Sequence, residues 1–197
     1  GIRSKPVEDV VTEAHALADA GFSEMVLTGV HLTSYGRDLQ TASTLADAIA
    51  AVHGVSGVRR IRLGSLEPVA ISDSFMGAIA GLPKLCPQFH LALQSGSDTV
   101  LARMKRRYNT QQFTAAAQRV LAAYPDAALT TDVIVGFPGE TDAEFLQTVA
   151  FCQKIGFMKI HVFPFSRREG TPAAEMADQV PETVKEERVR SLIAVGD

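Results

Sequence analysis

Apolar and polar positions along the chain fall into two alternating periods. Residues 6–20 place Val10, Ala14, Leu17 and Ala18 on one face at helical spacing, and Gly21 supplies a stop. The run "EMVLTGV" then reads as a strand. A helix around 44–52 follows, then the strand "RRIRLGS" and a helix near 72–80. The strand "FHLALQS", a long helix over 110–123, the strand "LTTDVIVGF", a helix over 142–155 and the strand "KIHVFPF" complete the pattern. Thr141 with Glu144 makes a capping box that fixes the start of the 142–155 helix. Pro181 opens a last helix with Val184, Arg188 and Leu192 on related turns.

Strands thus recur at roughly 30–40 residues with helices between them, the spacing of βαβ units in a parallel sheet. Their apolar runs predict burial on both faces. A doubly wound sheet and a β/α barrel both satisfy this pattern, and in either one ligands gather at the carboxyl ends of the strands. The first element is a helix with no strand before it. That predicts a repeat whose first strand and following loop lie outside this sequence.

Composition narrows the class. Hydrophobic residues make up 46% of the 197 and charged residues 21%, which excludes a disordered chain. No apolar run approaches a membrane span and no leader pattern precedes the first helix, so the expected location is cytoplasmic. A formal charge of −3 gives no global basic field, so any nucleic-acid contact must rest on local cations. The two cysteines, Cys86 and Cys152, form no CxxC-type set, and neither a disulfide framework nor an internal cysteine metal site is expected.

Chemistry concentrates where the strands end. The five exits read "TGVHLTSYG", "GSLEP", "QSGSD", "GFPGE" and "FPFSRREGTP", polar and glycine-rich beside apolar strands. That asymmetry favours a ligand site. Taken singly, each exit also has a plain structural reading. His31 suits a surface loop, Gln94-Ser95-Gly96 a turn and helix cap, and Gly136-Phe137-Pro138-Gly139 a tight connection. The functional reading of that last turn is close approach, because glycines admit a flat ligand to the backbone and Phe137 adds an apolar face. The run "RMKRRYN", residues 103–109, is either a solvated basic turn or an anion contact for a cofactor carboxylate or an RNA phosphate. No nucleophile–base triad and no GxxxxGK[ST] phosphate loop is present.

Taken together, "VLTGVHLTSYG", "RIRLGSLEP", "CPQFHLALQSGSDTVLARMKRRYN", "DVIVGFPGETDAEF" and "HVFPFSRREGTPA" resemble, in order and over nearly the whole chain, the radical S-adenosylmethionine (SAM) methylthiotransferases. Within that family the set is most similar to the branch that modifies N6-threonylcarbamoyladenosine beside the tRNA anticodon. The isopentenyladenosine and ribosomal-protein branches are the near alternatives, and a catalytically silent β/α-barrel module binding RNA or protein is the alternative of another class.

The resemblance implies an α/β fold, a partial (β/α)6 radical SAM barrel, here lacking its first strand and cluster-binding loop. Residues 1–197 would be a core-domain fragment, without the family's N-terminal second-cluster domain and C-terminal RNA-binding β-domain. It implies a [4Fe–4S] cluster on a CxxxCxxC loop that this sequence does not contain, with SAM bound at the cluster's open iron. It also implies a tRNA substrate and an electron donor such as flavodoxin or ferredoxin, with no role for DNA or a membrane. The fragment alone is expected to be inactive.

Residue by residue, the same matching gives Ile134, Gly136 and Phe137 to the SAM adenine, with Phe163, Phe165 and Ser166 closing over it. Gln94 and Ser95 fall to the ribose or methionine part, Arg106 to the carboxylate, and Thr28 and Gly29 to the amino group. His31, Ser65 and Glu67 fall on the substrate side. No catalytic side chain and no metal ligand is assigned within this chain.

Overall fold

Side-chain caps set where several helices of this α/β fold begin. The computed structural model describes residues 1–196 and contains α1 (Val7–Asp19), α2 (Leu45–His53), α3 (Asp73–Ile79), α4 (Asp98–Arg103), α5 (Thr110–Ala123), α6 (Asp142–Ile155) and α7 (Glu182–Gly196). The strands are β1 (Glu24–Leu27), β2 (Arg60–Leu63), β3 (Gln88–His90), β4 (Ala128–Val135) and β5 (Lys159–Pro164). The expected capping box at α6 is present, with Thr141 and Glu144 exchanging backbone and side-chain hydrogen bonds. A second box, Thr44 with Asp47, starts α2 in the same way. Gly21 ends α1 with φ +92°, and the amide of Phe22 donates to the Leu17 carbonyl at 3.0 Å. Among the described residues no helix is long and apolar enough to cross a membrane.

The chain divides into two compact units, Gly1–His90 with Gln118–Ala127, and Leu91–Ala117 with the chain from Ala128 onward. In the first, β1 and β2 run parallel with Glu24 opposite Arg60 and Leu27 opposite Leu63. Met25, Ile61 and Leu63 are buried, as are Ile49 and Val52 of α2. A fully buried side chain of this size contributes about 1.5–3 kcal/mol. The Lys84 ammonium donates to the carbonyls of His53 and Val55, closing the end of α2 with a cation. Tyr124 donates to the Ile79 carbonyl and lies 5.3 Å from the ring of Phe89.

In the second unit β4 and β5 run parallel, Thr130 opposite Lys159 through Val135 opposite Pro164. Phe113 of α5 is fully buried and meets Phe151 and Phe157 edge-on at 5.9 and 5.8 Å. Burial on both strand faces, expected from the apolar runs, is not what is observed. In β1, β2 and β4 buried positions alternate with exposed or half-buried ones. In β2 the outward positions are Arg60 and Arg62, which share the carboxylate of Glu24 at 2.9 and 3.0 Å. Arg60 and Arg62, alternating with Ile61 and Leu63 in "RRIRL", mark that half-open face.

The expected strand over 89–95 is also shorter than its pattern. Regular β3 stops at His90, and Leu91, Ala92 and Leu93 continue as a buried, interrupted stretch. The cause is Thr131 of β4. Its hydroxyl donates to the Leu91 carbonyl at 2.6 Å and accepts the Leu93 amide at 3.1 Å, so a side chain replaces rungs of the backbone ladder.

Candidate functional site

In the second unit β4 leaves into Gly136-Phe137-Pro138-Gly139-Glu140. Gly136 has φ +70° and Gly139 φ +75°, conformations that a side chain disfavours. The turn is closed by its own carboxylate, since Glu140 Oε2 accepts the Gly136 amide at 2.6 Å, and the Glu140 amide donates to the Phe137 carbonyl at 2.9 Å. That carboxylate is fully buried and receives Nη1 of Arg188 at 2.7 Å. Burial pushes the Glu140 carboxyl above the ordinary carboxylate range, against the opposing pull of the Gly136 amide and the Arg188 guanidinium. Phe137 is buried and meets Phe165 edge-on at 5.2 Å. Beyond β5, the Phe165 amide donates to the Val135 carbonyl at 2.8 Å, which extends the pairing to both strand exits. Ile134 is half-buried, while Phe163 and Ser166 are exposed.

The "QSGS" turn is built against α6. Gln94 holds φ +69°, rare for a residue with a side chain, while its amide donates to the Asp132 carbonyl and its carbonyl accepts from Ile134. Ser95 is fully buried and its hydroxyl is shared with Thr148 at 3.2 Å and the Ser97 amide at 3.2 Å. The Gly96 amide donates to Thr148 Oγ1 at 3.1 Å, and a Cβ there would sit 2.7 Å from the Thr148 backbone. Of the two residues, Gln94 is therefore the one whose side chain is not committed to α6. Tyr108 donates to the carbonyls of Ala92 and Leu93, pinning the basic turn to the same stretch. Arg106 is half-buried, and its Nε is buried with no hydrogen-bond partner among the described residues. An orphaned guanidinium donor fits an anionic ligand group.

Arg103, the first cation of the run, has a different part. Nη1 and Nη2 of Arg103 donate in a fork to Glu144 at 3.0 and 2.7 Å, and Thr99 and the Thr141 amide also donate to that carboxylate. These bonds, chiefly the Arg103 fork, pull Glu144 from the ordinary 4.5 to about 2. A depressed carboxylate stabilises the fold above its unfolded value, and the contribution is lost as pH falls through the folded one. Glu144→Gln is accordingly expected to be less stable than the parent near neutral pH. In denaturant unfolding the gap should narrow as pH falls from about 4.5 to about 2. A gap that stays constant over that window would exclude the Arg103 fork as its source.

In the first unit the exits of β1 and β2 carry the residues expected on the substrate side. His31 Nε2 meets Glu67 Oε2 at 3.0 Å, and its Nδ1 is hydrogen-bonded to Ser34. Thr33 accepts the Glu67 amide at 3.2 Å, and Ser65 is exposed. Thr28 and Gly29 line a groove of about 910 Å³ with Leu17, Phe22, Val26 and Val30. The groove follows the edge of β1 that has no partner strand among the described residues.

The proposed cofactor residues therefore divide. Gln94, Ser95, Arg106, Ile134, Gly136, Phe137, Phe163, Phe165 and Ser166 belong to the second unit, and Thr28 and Gly29 to the first. Sequence reasoning missed Glu140, Lys185 and Arg188. The signal available was Arg188 itself, a cation inside the apolar stripe of the last helix. Cys86 is half-buried and Cys152 buried, its thiol pushed up to about 12 by burial. Two cysteines in the whole sequence cannot supply a cluster that needs three thiolates, so a [4Fe–4S] group does not fit this chain's residues.

Comparison with known proteins gives consistent matches. The family model described as the radical SAM superfamily matches residues 1–152. The chain is 44% identical over 196 residues to a Bacillus subtilis strain 168 protein named threonylcarbamoyladenosine tRNA methylthiotransferase MtaB, covering 100% of this chain and 44% of that one. It is 43% identical to an Akkermansia muciniphila protein named tRNA-2-methylthio-N(6)-dimethylallyladenosine synthase, covering 98% of this chain and 43% of that one. The chain thus spans less than half the length of these curated relatives. Among solved structures, Escherichia coli coproporphyrinogen III oxidase (HemN), described as a radical SAM enzyme, superposes with TM-score 0.70 at 13% identity over 95% of this chain and 44% of that one.

Proposed function

The chain belongs to the radical SAM superfamily, and from that premise we propose that it is the catalytic core of a tRNA methylthiotransferase acting on N6-threonylcarbamoyladenosine. The observation that supports the reading is the 44% identity along the full chain with a relative named for that reaction, one point above the 43% with a relative named for the dimethylallyladenosine reaction. SAM and a [4Fe–4S] cluster, the latter held by thiolates outside these residues, would supply the radical chemistry.

This chain's own part is to bind and orient. In the second unit, Gly136, Phe137 and Ile134 offer an apolar wall for adenine, with Phe163, Phe165 and Ser166 at its outer side. The orphaned Nε of Arg106 suits the methionine carboxylate, and Gln94 and the backbone at Ser95 suit the ribose or methionine part. In the first unit, Thr28 and Gly29 end the strand assigned to the SAM amino group. The His31–Glu67 pair, with Ser65 beside it, presents polar groups of both kinds suited to a threonylcarbamoyl substituent.

The thiolates must come from a part of the whole protein outside these residues. The apolar groove along β1 suits a further strand leading into that loop. The whole protein would also carry a second-cluster domain and an RNA-binding β-domain, take electrons from a flavodoxin- or ferredoxin-like donor, and work in the cytoplasm.

The test is the whole protein, reduced and supplied with SAM, on tRNA carrying either threonylcarbamoyladenosine or isopentenyladenosine. Nucleoside mass spectrometry should show a methylthio group gained on the threonylcarbamoyl substrate alone. Gain on isopentenyladenosine alone would move the protein to the other branch, and gain on neither would remove the activity.

A further inference from the structure

Two buried cations on α7 have no part in the reading above. Lys185 and Arg188 are 6% and 5% exposed, on a helix whose next turn is anchored by the fully buried Leu192. Their partners lie on the exits of β4 and β5. Arg188 Nη1 donates to the Glu140 carboxylate at 2.7 Å and to its carbonyl at 3.1 Å, and Nη2 donates to Asp142 at 2.7 Å. Glu140 passes this on by accepting the Gly136 amide at 2.6 Å. Lys185 donates to the Phe165 carbonyl at 2.9 Å and to Glu182 at 3.1 Å, with its ammonium 5.7 Å from the Phe165 ring centre. Its stem lies against Gly136, with Cγ in the space that a Cβ there would need.

Stability alone does not account for this arrangement. A buried ion pair recovers little more than its desolvation cost, and apolar groups of similar volume hold a helix down as well. Here Glu140 Oε1 and Arg188 Nε are both buried without a partner among the described residues, so the pair is not even fully satisfied. What the two cations do achieve is geometric. Each is three residues from the other on one helix, and together they fix the Gly136–Glu140 turn and the Phe165 backbone as one surface.

We propose that Lys185 and Arg188 are positioning residues, through which α7 sets the shape of the adenine-binding wall formed by Gly136, Phe137 and Phe165. The inference rests on the adenine reading of that turn. It predicts that nucleoside affinity depends on two side chains that do not touch the nucleoside.

The probe is 5′-methylthioadenosine, which carries the adenosine part of SAM and needs no cluster, titrated by calorimetry into the full chain. Lys185→Met keeps the stem and removes the bond to Phe165. Arg188→Lys keeps the charge and removes the fork. Each is expected to raise Kd roughly tenfold, the effect of one misplaced hydrogen-bonded contact. The melting temperature of Lys185→Met should stay close to that of the parent. Lowered melting temperatures with an unchanged Kd would make both cations merely structural and overturn the inference, while the adenine reading stood. No binding of the nucleoside by the parent chain would overturn that reading and this inference with it.

Discussion

Gly136→Ala is expected to destabilise the protein by about 2–5 kcal/mol, the sum of about 1–2 kcal/mol for a side chain at positive φ and about 1–3 kcal/mol for overpacking. The first cost follows from φ +70° and the second from the Lys185 stem, whose Cγ stands where the new methyl group would have to fit. The two costs are separable. In a Lys185→Ala background the contact is gone, so the same substitution should cost only the backbone strain, about 1–2 kcal/mol. Gly139 serves as the control within the same turn. Its φ is +75°, but a Cβ there would meet only Arg103 Nε at an ordinary 3.8 Å. Gly139→Ala should therefore cost the strain alone in either background. Denaturant unfolding of these single and double variants measures this directly. Equal costs for Gly136→Ala with and without Lys185 would show that α7 does not press on the turn.

The glycine at 136 also illustrates what was legible in the sequence. That a tight turn stands there was, because two glycines and a proline lie between an apolar strand and a capping box. Its neighbour was not. Lys185 lies 49 residues along the chain, on a helix whose stripe reads as Val184, Arg188 and Leu192. Helical periodicity identifies a face but not what the face covers, and here it covers a turn held by charge.

The same limit explains β3. Seven residues of strand-like pattern read as one strand, yet the break comes from Thr131, a residue of another strand whose hydroxyl competes for the ladder. The half-open strand faces were within reach, since Arg60 and Arg62 alternate with Ile61 and Leu63 at period two. Conversely, α5 and α6 were legible to the residue, because α5 has a sustained stripe at Phe113, Ala116, Ala117 and Val120 and α6 has a cap that names its first turn. At the site, Arg106 is singled out by family pattern; its buried, unpartnered Nε is shared with Arg103 and Arg188, so it does not set Arg106 apart. Arg103 in the same basic run is spent on Glu144, a distinction that four neighbouring cations cannot carry in sequence alone.

The 197-residue chain is expected to remain colourless after anaerobic reconstitution with iron and sulfide, and to release no 5′-deoxyadenosine from SAM under reduction. A cluster with one open iron needs three converging thiolates, and the sequence holds two cysteines. Neither suits the part. Cys152 is 1% exposed, and burial pushes its thiol up to about 12, so it stays protonated at neutral pH. Cys86 lies just before β3, where its amide donates to the Ile61 carbonyl at 2.8 Å. That is the amino end of the strand, whereas the assigned residues of the same unit, Thr28 to Glu67, follow the carboxyl ends of β1 and β2. Replacing both cysteines by serine should leave the reconstitution result unchanged. Broad visible absorbance in the 197-residue chain, lost on substituting Cys86, would mean that the ligand face of this fold has been placed at the wrong end of its strands.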